Sequence, residues 1–173
     1  MKALSRSLIV GAVQILLVAS VGAKFLYDRS HYPRVWAQTV PFDPDLPIRG
    51  RYVSISVRVE TARAPAAKEG AELPGMYLAN LEIYKDRLYA VEDDNGRNWV
   101  ESAPCGEQKC WQLSEPVAFF IPEDVEDPSR RPPGETLWVE VTVPPRGPPR
   151  PLRLGIKKAD DAEVTPLQLR AAD

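Results

Sequence analysis

The residues able to do chemistry are few: one histidine, two cysteines and a handful of adjacent carboxylates. Cys105 and Cys110 enclose Gly106-Glu107-Gln108-Lys109 between two apolar runs, where a hairpin tip is expected. An even pair at this spacing reads as a disulfide in an oxidising compartment, with two free thiols as the alternative. Closing so short a loop contributes only about 2 kcal/mol in the chain-entropy description. The spacing is not CxxC and no helix N-terminus adjoins it, so redox catalysis is the weaker reading. His31 stands in a linker flanked by tyrosine and proline. A Ser-His-Asp triad needs a buried, oriented imidazole, so interfacial solvation is the expected role of His31. One histidine and two cysteines cannot fill a closed zinc shell without carboxylates, so neither metal nor cofactor is expected. Asp93-Asp94 and Glu123-Asp124 raise glycoside hydrolysis or calcium binding. Both pairs fall in polar turns without an EF-hand pattern, where solvation is the ordinary explanation. Ser30 lacks a later lysine on a recognisable strand, which disfavours a Ser-Lys dyad.

The elements that must position these residues begin with an apolar segment. Lys2 and Arg6 precede a stretch from Leu8 to Ala23 with no charged residue. Counted from Leu8 to Tyr27, it would rise about 30 Å as a helix, the thickness of a bilayer core. Lys24 sits near one end, where it can snorkel. Tyr27, Tyr32 and Trp36 fit an interfacial belt. Residues 1–28 are therefore a membrane anchor, or else a signal peptide cut after Val21-Gly22-Ala23. Both readings export the remainder of the chain, to the periplasmic or extracellular side.

Overall charge is balanced, with 22 basic and 24 acidic residues. Removing Lys2, Arg6, Lys24, Arg29 and Asp28 leaves 18 against 23. An acidic domain repels phosphate backbones, which disfavours nucleic-acid binding. The 18 prolines remove backbone donors and break helices, so short strands joined by stiff loops are expected.

Residues 29–50 form a lead-in rich in proline and aspartate, and residues 51–173 a β-rich domain. Val53, Ile55, Val57 and Val59 alternate with Ser54, Ser56, Arg58 and Glu60, the pattern of a half-buried strand. Residues 61–75 read as a loop. Further apolar sets run over 76–84 (a helical turn being an alternative there) and 88–91. Asn95-Gly96 predicts a type I′ hairpin pairing 89–92 with 98–102. Residues 111–121, 137–143 and 152–157 complete six or seven strands, with 164–169 as an optional closing segment. The fold class expected is mainly β, a small antiparallel sandwich or barrel-like domain behind one N-terminal transmembrane helix.

The stretch Gly50-Arg51-Tyr52-Val53-Ser54-Ile55-Ser56-Val57, with its Asp-Pro lead-in, resembles the GDYXXLXY protein family. Gly50 and Tyr52 match the motif and Ile55 stands in for leucine, whereas Arg51 replaces aspartate and Val57 replaces tyrosine. Phe119-Phe120-Ile121-Pro122-Glu123 is similar to a later segment of that family, and 137–143 occupies the place of its penultimate strand. The resemblance implies topology and architecture, not a reaction, for the group has no established activity. Its members are often paired with multi-pass membrane proteins. Any role of the motif aspartate does not carry over to Arg51. The candidate binding positions are Gly50 and Tyr52; the plainer alternative is that Gly50 fixes a turn and Tyr52 packs under the preceding loop.

The function expected is thus a membrane-tethered, non-cytoplasmic accessory or interaction domain working with a multi-pass membrane protein. The alternatives are a cell-envelope hydrolase with an unrecognised site and a secreted binding module. Catalysis is the less favoured reading.

Overall fold

In a computed structural model of the chain, the residues described are 2–42, 52–62, 75–105, 108–122, 125, 127–145 and 147–169. They divide into two compact units, Met1–Tyr32 and Pro33–Asp173. The first unit is a single helix, α1 (Lys2–His31). Within it, Ser7–His31 is 25 residues long with a mean hydropathy of 2.0. Leu8, Ile9, Leu16, Leu17, Val18 and Leu26 all stand exposed on it. A helix apolar on every side, and of this length, is able to cross a bilayer.

The second unit is a set of strands: β1 (Arg34–Phe42), β2 (Tyr52–Ala62), β3 (Met76–Tyr84), β4 (Arg87–Glu92), β5 (Asn98–Cys105), β6 (Gln108–Leu113), β7 (Val117–Phe120), β8 (Glu135–Thr142), β9 (Arg150–Lys158) and β10 (Thr165–Pro166). The expected mainly β, barrel-like architecture behind one apolar helix is what forms. Two long strands organise it. The first half of β1 pairs antiparallel with β8, from Arg34 opposite Thr142 to Gln38 opposite Trp138. Its second half pairs with β2, from Thr39 opposite Val57 to Phe42 opposite Ser54. The sheet around β8 continues through β9 to β10.

The strand β2 is shared in the same way. Its first half pairs with β7, and its second half with β6 and, in parallel, with β4. From β4 the ladder runs antiparallel to β3, then β5, then β6, which returns to β2. Five strands therefore close into a ring, an arrangement that leaves no free edge among them. The apolar side chains buried on the ring strands include Val57, Val59, Tyr77, Ala79, Leu88, Ala90, Val100 and Leu113. They are continuous with Val35, Ala37, Leu137, Val139, Val141 and Leu154 of the β1–β8–β9 sheet.

Several expectations need correction. Within the lead-in, residues 34–42 form β1, a strand that the sequence reading does not assign; Val35 and Ala37 bury on one side of a ladder anchored by β8. The serine face of β2 is not open, since Ser54 and Ser56 are buried along with Val53, Ile55 and Val57. At 76–84 the strand reading holds, and the alternative helical turn does not form. The run 111–121 splits into β6 and β7 at Ser114-Glu115-Pro116, where proline cannot donate to a ladder. Pro151 has a similar effect on β9. Glu140 faces Arg153 but Val141 faces Pro151, which leaves Leu152 as a bulge.

The largest correction concerns Asn95-Gly96. Strands β4 and β5 do not pair with each other; both pair with β3, which lies between them. The hairpin turn instead falls at Lys85-Asp86, which among the described residues are the two non-glycine positions at positive φ, 48° and 57°. Their φ values are those a two-residue I′ turn requires. Gly96 serves a close approach. A Cβ there would lie 2.5 Å from the Ala79 backbone nitrogen. Side-chain-free backbone lets the β4–β5 crossover lie flat on β3, where Arg97 N–H donates to the Ala79 carbonyl at 3.2 Å.

Candidate functional site

Alternation gives the β1–β8–β9 sheet two different faces. Val35, Ala37, Leu137, Val139 and Leu154 point to the core. Trp36 and Gln38 of β1, Trp138 of β8 and Lys157 of β9 alternate with them. With Arg58 and Glu60 of β2 and the β3–β4 turn at 85–87, these residues line a cleft of about 510 Å³. That volume lies within the range of small-molecule sites.

The walls are held from behind. A Cβ on Gly155 would lie 2.8 Å from Cζ3 of Trp36 and 2.5 Å from Cγ1 of Val164. Glycine at this point lets the Trp36 ring settle against β9. Arg153 lies over the same ring, 5.4 Å from its centroid, and donates from Nε to Oε2 of the buried Glu140 at 2.6 Å. Trp138 is fixed by its Nε1–H, which donates to Thr136 Oγ1 at 2.9 Å. Lys157 stands over the Trp138 ring at 5.4 Å. Such cation–ring contacts contribute about 0.5–1 kcal/mol each at exposed positions.

The charges around the cleft are unequal in their pairing. Arg87 Nη1 donates to Glu60 Oε1 at 2.6 Å, and this bond and charge hold the guanidinium protonated above its usual range. The Glu60 carboxylate also pushes the Tyr89 phenol upward, by hydrogen bonding first. Arg58 differs. Its Nη1 donates to the neutral Gln38 side-chain oxygen at 2.7 Å. Lys85 lies over the exposed ring of Tyr84, 5.2 Å from its centroid. The lining thus holds Arg58, Lys85, Arg87 and Lys157 against Glu60 and Asp86, a local excess of positive charge in a domain that is acidic as a whole.

The positions expected from sequence lie elsewhere. Tyr52 opens β2, half-buried, facing Phe120 of β7 with ring centroids 6.1 Å apart. Phe120 is 72% exposed, so the pair forms an aromatic patch on a separate part of the β2–β7 ladder. Gly50 lies outside the described residues, as do Glu123 and Asp124. Cys105 and Cys110 form a disulfide across the β5–β6 hairpin, with Cα atoms 5.7 Å apart. His31 ends α1, stacked on Tyr27 at 4.0 Å, with Nδ1 2.7 Å from Ser30 Oγ. Asp93 is structural: its carboxylate accepts from Asn80 Nδ2 and from the Asn95 backbone N–H. Among the described residues no three His, Cys, Asp or Glu side chains gather as a metal site.

Trp36, expected at a membrane interface, is part of β1 and lines the cleft. Trp138 carried a signal that the sequence reading missed. In Leu137-Trp138-Val139-Glu140-Val141, alternation puts the tryptophan on the face opposite the valines, and an aromatic residue there calls for a partner. The meeting of β1, β2, β8 and the β3–β4 turn was not readable without the strand order. Compared with family models, with curated proteins and with solved structures, the chain matches none.

Proposed function

We propose that this chain is a membrane-tethered recognition domain, displayed on the non-cytoplasmic side and acting as an accessory to a multi-pass membrane protein. The observation that carries the recognition role is the cleft framed by Trp36 and Trp138, cationic within an acidic domain. Its tryptophans are held from behind by Gly155, Arg153 and Thr136, which suits a preformed binding site. Tethering is supported by the apolar Ser7–His31 stretch. Display outside the cytoplasm is supported by the Cys105–Cys110 bridge, a bond that persists in oxidising compartments. The multi-pass partner is supported by the resemblance of 50–57 and 119–123 to the GDYXXLXY family.

Alkaline carbonate extraction, combined with a C-terminal compartment reporter, tests this reading. The full-length chain is expected to stay in the membrane pellet with its N-terminus intact and its reporter active outside the cytoplasm. A reporter active only in the cytoplasm would overturn the display. Recovery in the soluble fraction, cut near Ala23, would overturn the tether.

A further inference from the structure

The cleft carries a more specific reading, which rests on the recognition role proposed above. We propose that it is an anion site for a small ring-bearing carboxylic acid, with Arg58 as the anchoring group.

Arg58 sits half-buried on β2, and among the described residues its guanidinium has one side-chain partner, the neutral Gln38 amide. A guanidinium has five donors and a charge that is costly to withdraw from water unless an anion meets it. The neighbouring arginines are both answered: Arg87 by Glu60 and Arg153 by Glu140. Arg58, by contrast, lines a cleft wide enough to admit an anion from solution. Lys85 and Lys157 add positive charge, and the contacts they make with their ammonium groups are to aromatic rings, leaving donors for a ligand.

The rest of the lining sets the ligand's size and body. A space of about 510 Å³ accommodates one or two rings and is too small for a folded partner. Trp36 and Trp138 give flat apolar walls suited to a ring, whether a sugar or an aromatic one. The planar fork of a guanidinium matches a carboxylate with two parallel hydrogen bonds. Asp86 on the rim opposes more highly charged ligands. The shared chemistry is therefore a ring carboxylate, available from a sugar acid or from an aromatic acid.

The test is calorimetric titration of the full-length chain in detergent micelles, at constant ionic strength, with glucuronate, benzoate, glucose and inorganic phosphate. At least one of the two carboxylates is expected to bind in the millimolar range or tighter, and which one does assigns the source. Arg58→Met is expected to weaken it about tenfold or more with no fall in thermal midpoint, and Arg58→Lys to restore part of the loss. Lys109→Met, on the exposed β6 surface, is expected to leave affinity within about twofold. Glucose binding as tightly as glucuronate, unaffected by Arg58→Met, would overturn the anion site and leave the recognition role standing. Phosphate binding in preference to both carboxylates would overturn the ligand class. Silence with all four probes would overturn this inference, whereas the tether stands or falls on the extraction experiment.

Discussion

In the five-stranded ring, the buried side of each strand meets the buried sides of the others. Ala79 and Ala90 fit beside Val57, Val100 and Leu113, all within a few per cent of full burial. In the β1–β8–β9 sheet, one face joins that same core and the other carries tryptophan, arginine and lysine around an open space. Both regions use the period-two rule of a strand. The ring uses it to hide apolar surface, and closure removes its edges. The open face uses it to display residues that are costly to expose or to half-bury. The difference teaches where stability and recognition reside: substitutions in the ring and shared core should cost folding, while substitutions on the open face should cost binding.

The largest effect should come from the strand the two regions share. Ile55 is 0% exposed on β2. Ile55→Ala is expected to destabilise by about 2–5 kcal/mol, through lost burial and the cavity left behind. Chemical denaturation checks this, and a loss under about 1 kcal/mol would break the comparison.

Gly155 comes next, because it lies on the open face of β9, directly under the Trp36 ring. Gly155→Ala places a methyl group against Trp36 and Val164 and should cost about 1–3 kcal/mol. The indole of Trp36 should move with it, read as a change in its side-chain N–H resonance. An unchanged Trp36 signal would separate Gly155 from the cleft.

The disulfide should matter less. The paired change Cys105→Ser with Cys110→Ser opens a short loop at the β5–β6 hairpin and should cost about 2 kcal/mol. The β1–β8–β9 face should keep its signals, because the bridge lies on the ring.

The smallest effect at neutral pH concerns Tyr77. Its hydroxyl is buried without a hydrogen-bond partner among the described residues, and its ring meets Trp111 edge-on at 5.3 Å. Burial first, and the Glu92 carboxylate second, push its phenol from 10.0 up to about 12. An unfolded chain therefore gives up this proton while the folded chain retains it. The stabilisation is whole below pH 10 and is lost as pH rises through 12. Tyr77→Phe is expected to change neutral stability by no more than about 1 kcal/mol, because no hydrogen bond is lost. Its stability should fall less steeply over that alkaline window. An identical alkaline slope in both chains would sink this assignment.

Much of the fold was legible because its signals are local. The apolar run from Leu8, the alternation of 53–59 and 137–143 and the cysteine pair each declare an element without reference to distant residues. What failed depended on distant neighbours. Asn95-Gly96 has the composition of a hairpin turn, yet β3 lies between the two strands, and the glycine answers a backbone contact that no local pattern encodes. The open Ser54–Ser56 face was misread for a similar reason: small polar side chains alternate with valine whether or not something covers them. The cleft was the least readable feature. Arg58, Trp36 and Trp138 lie far apart in sequence and are joined only because β1 and β2 each serve two ladders.

The most direct measurement is the set of four tryptophan indole N–H resonances of the full-length protein in micelles, followed during titration with glucuronate and, in parallel, benzoate. Trp36 and Trp138 are expected to shift together and saturably, while Trp99 and Trp111 on the ring strands stay fixed. Shifts confined to Trp99 or Trp111, or a still Trp36 and Trp138 under both titrants, would contradict a recognition cleft on the open face.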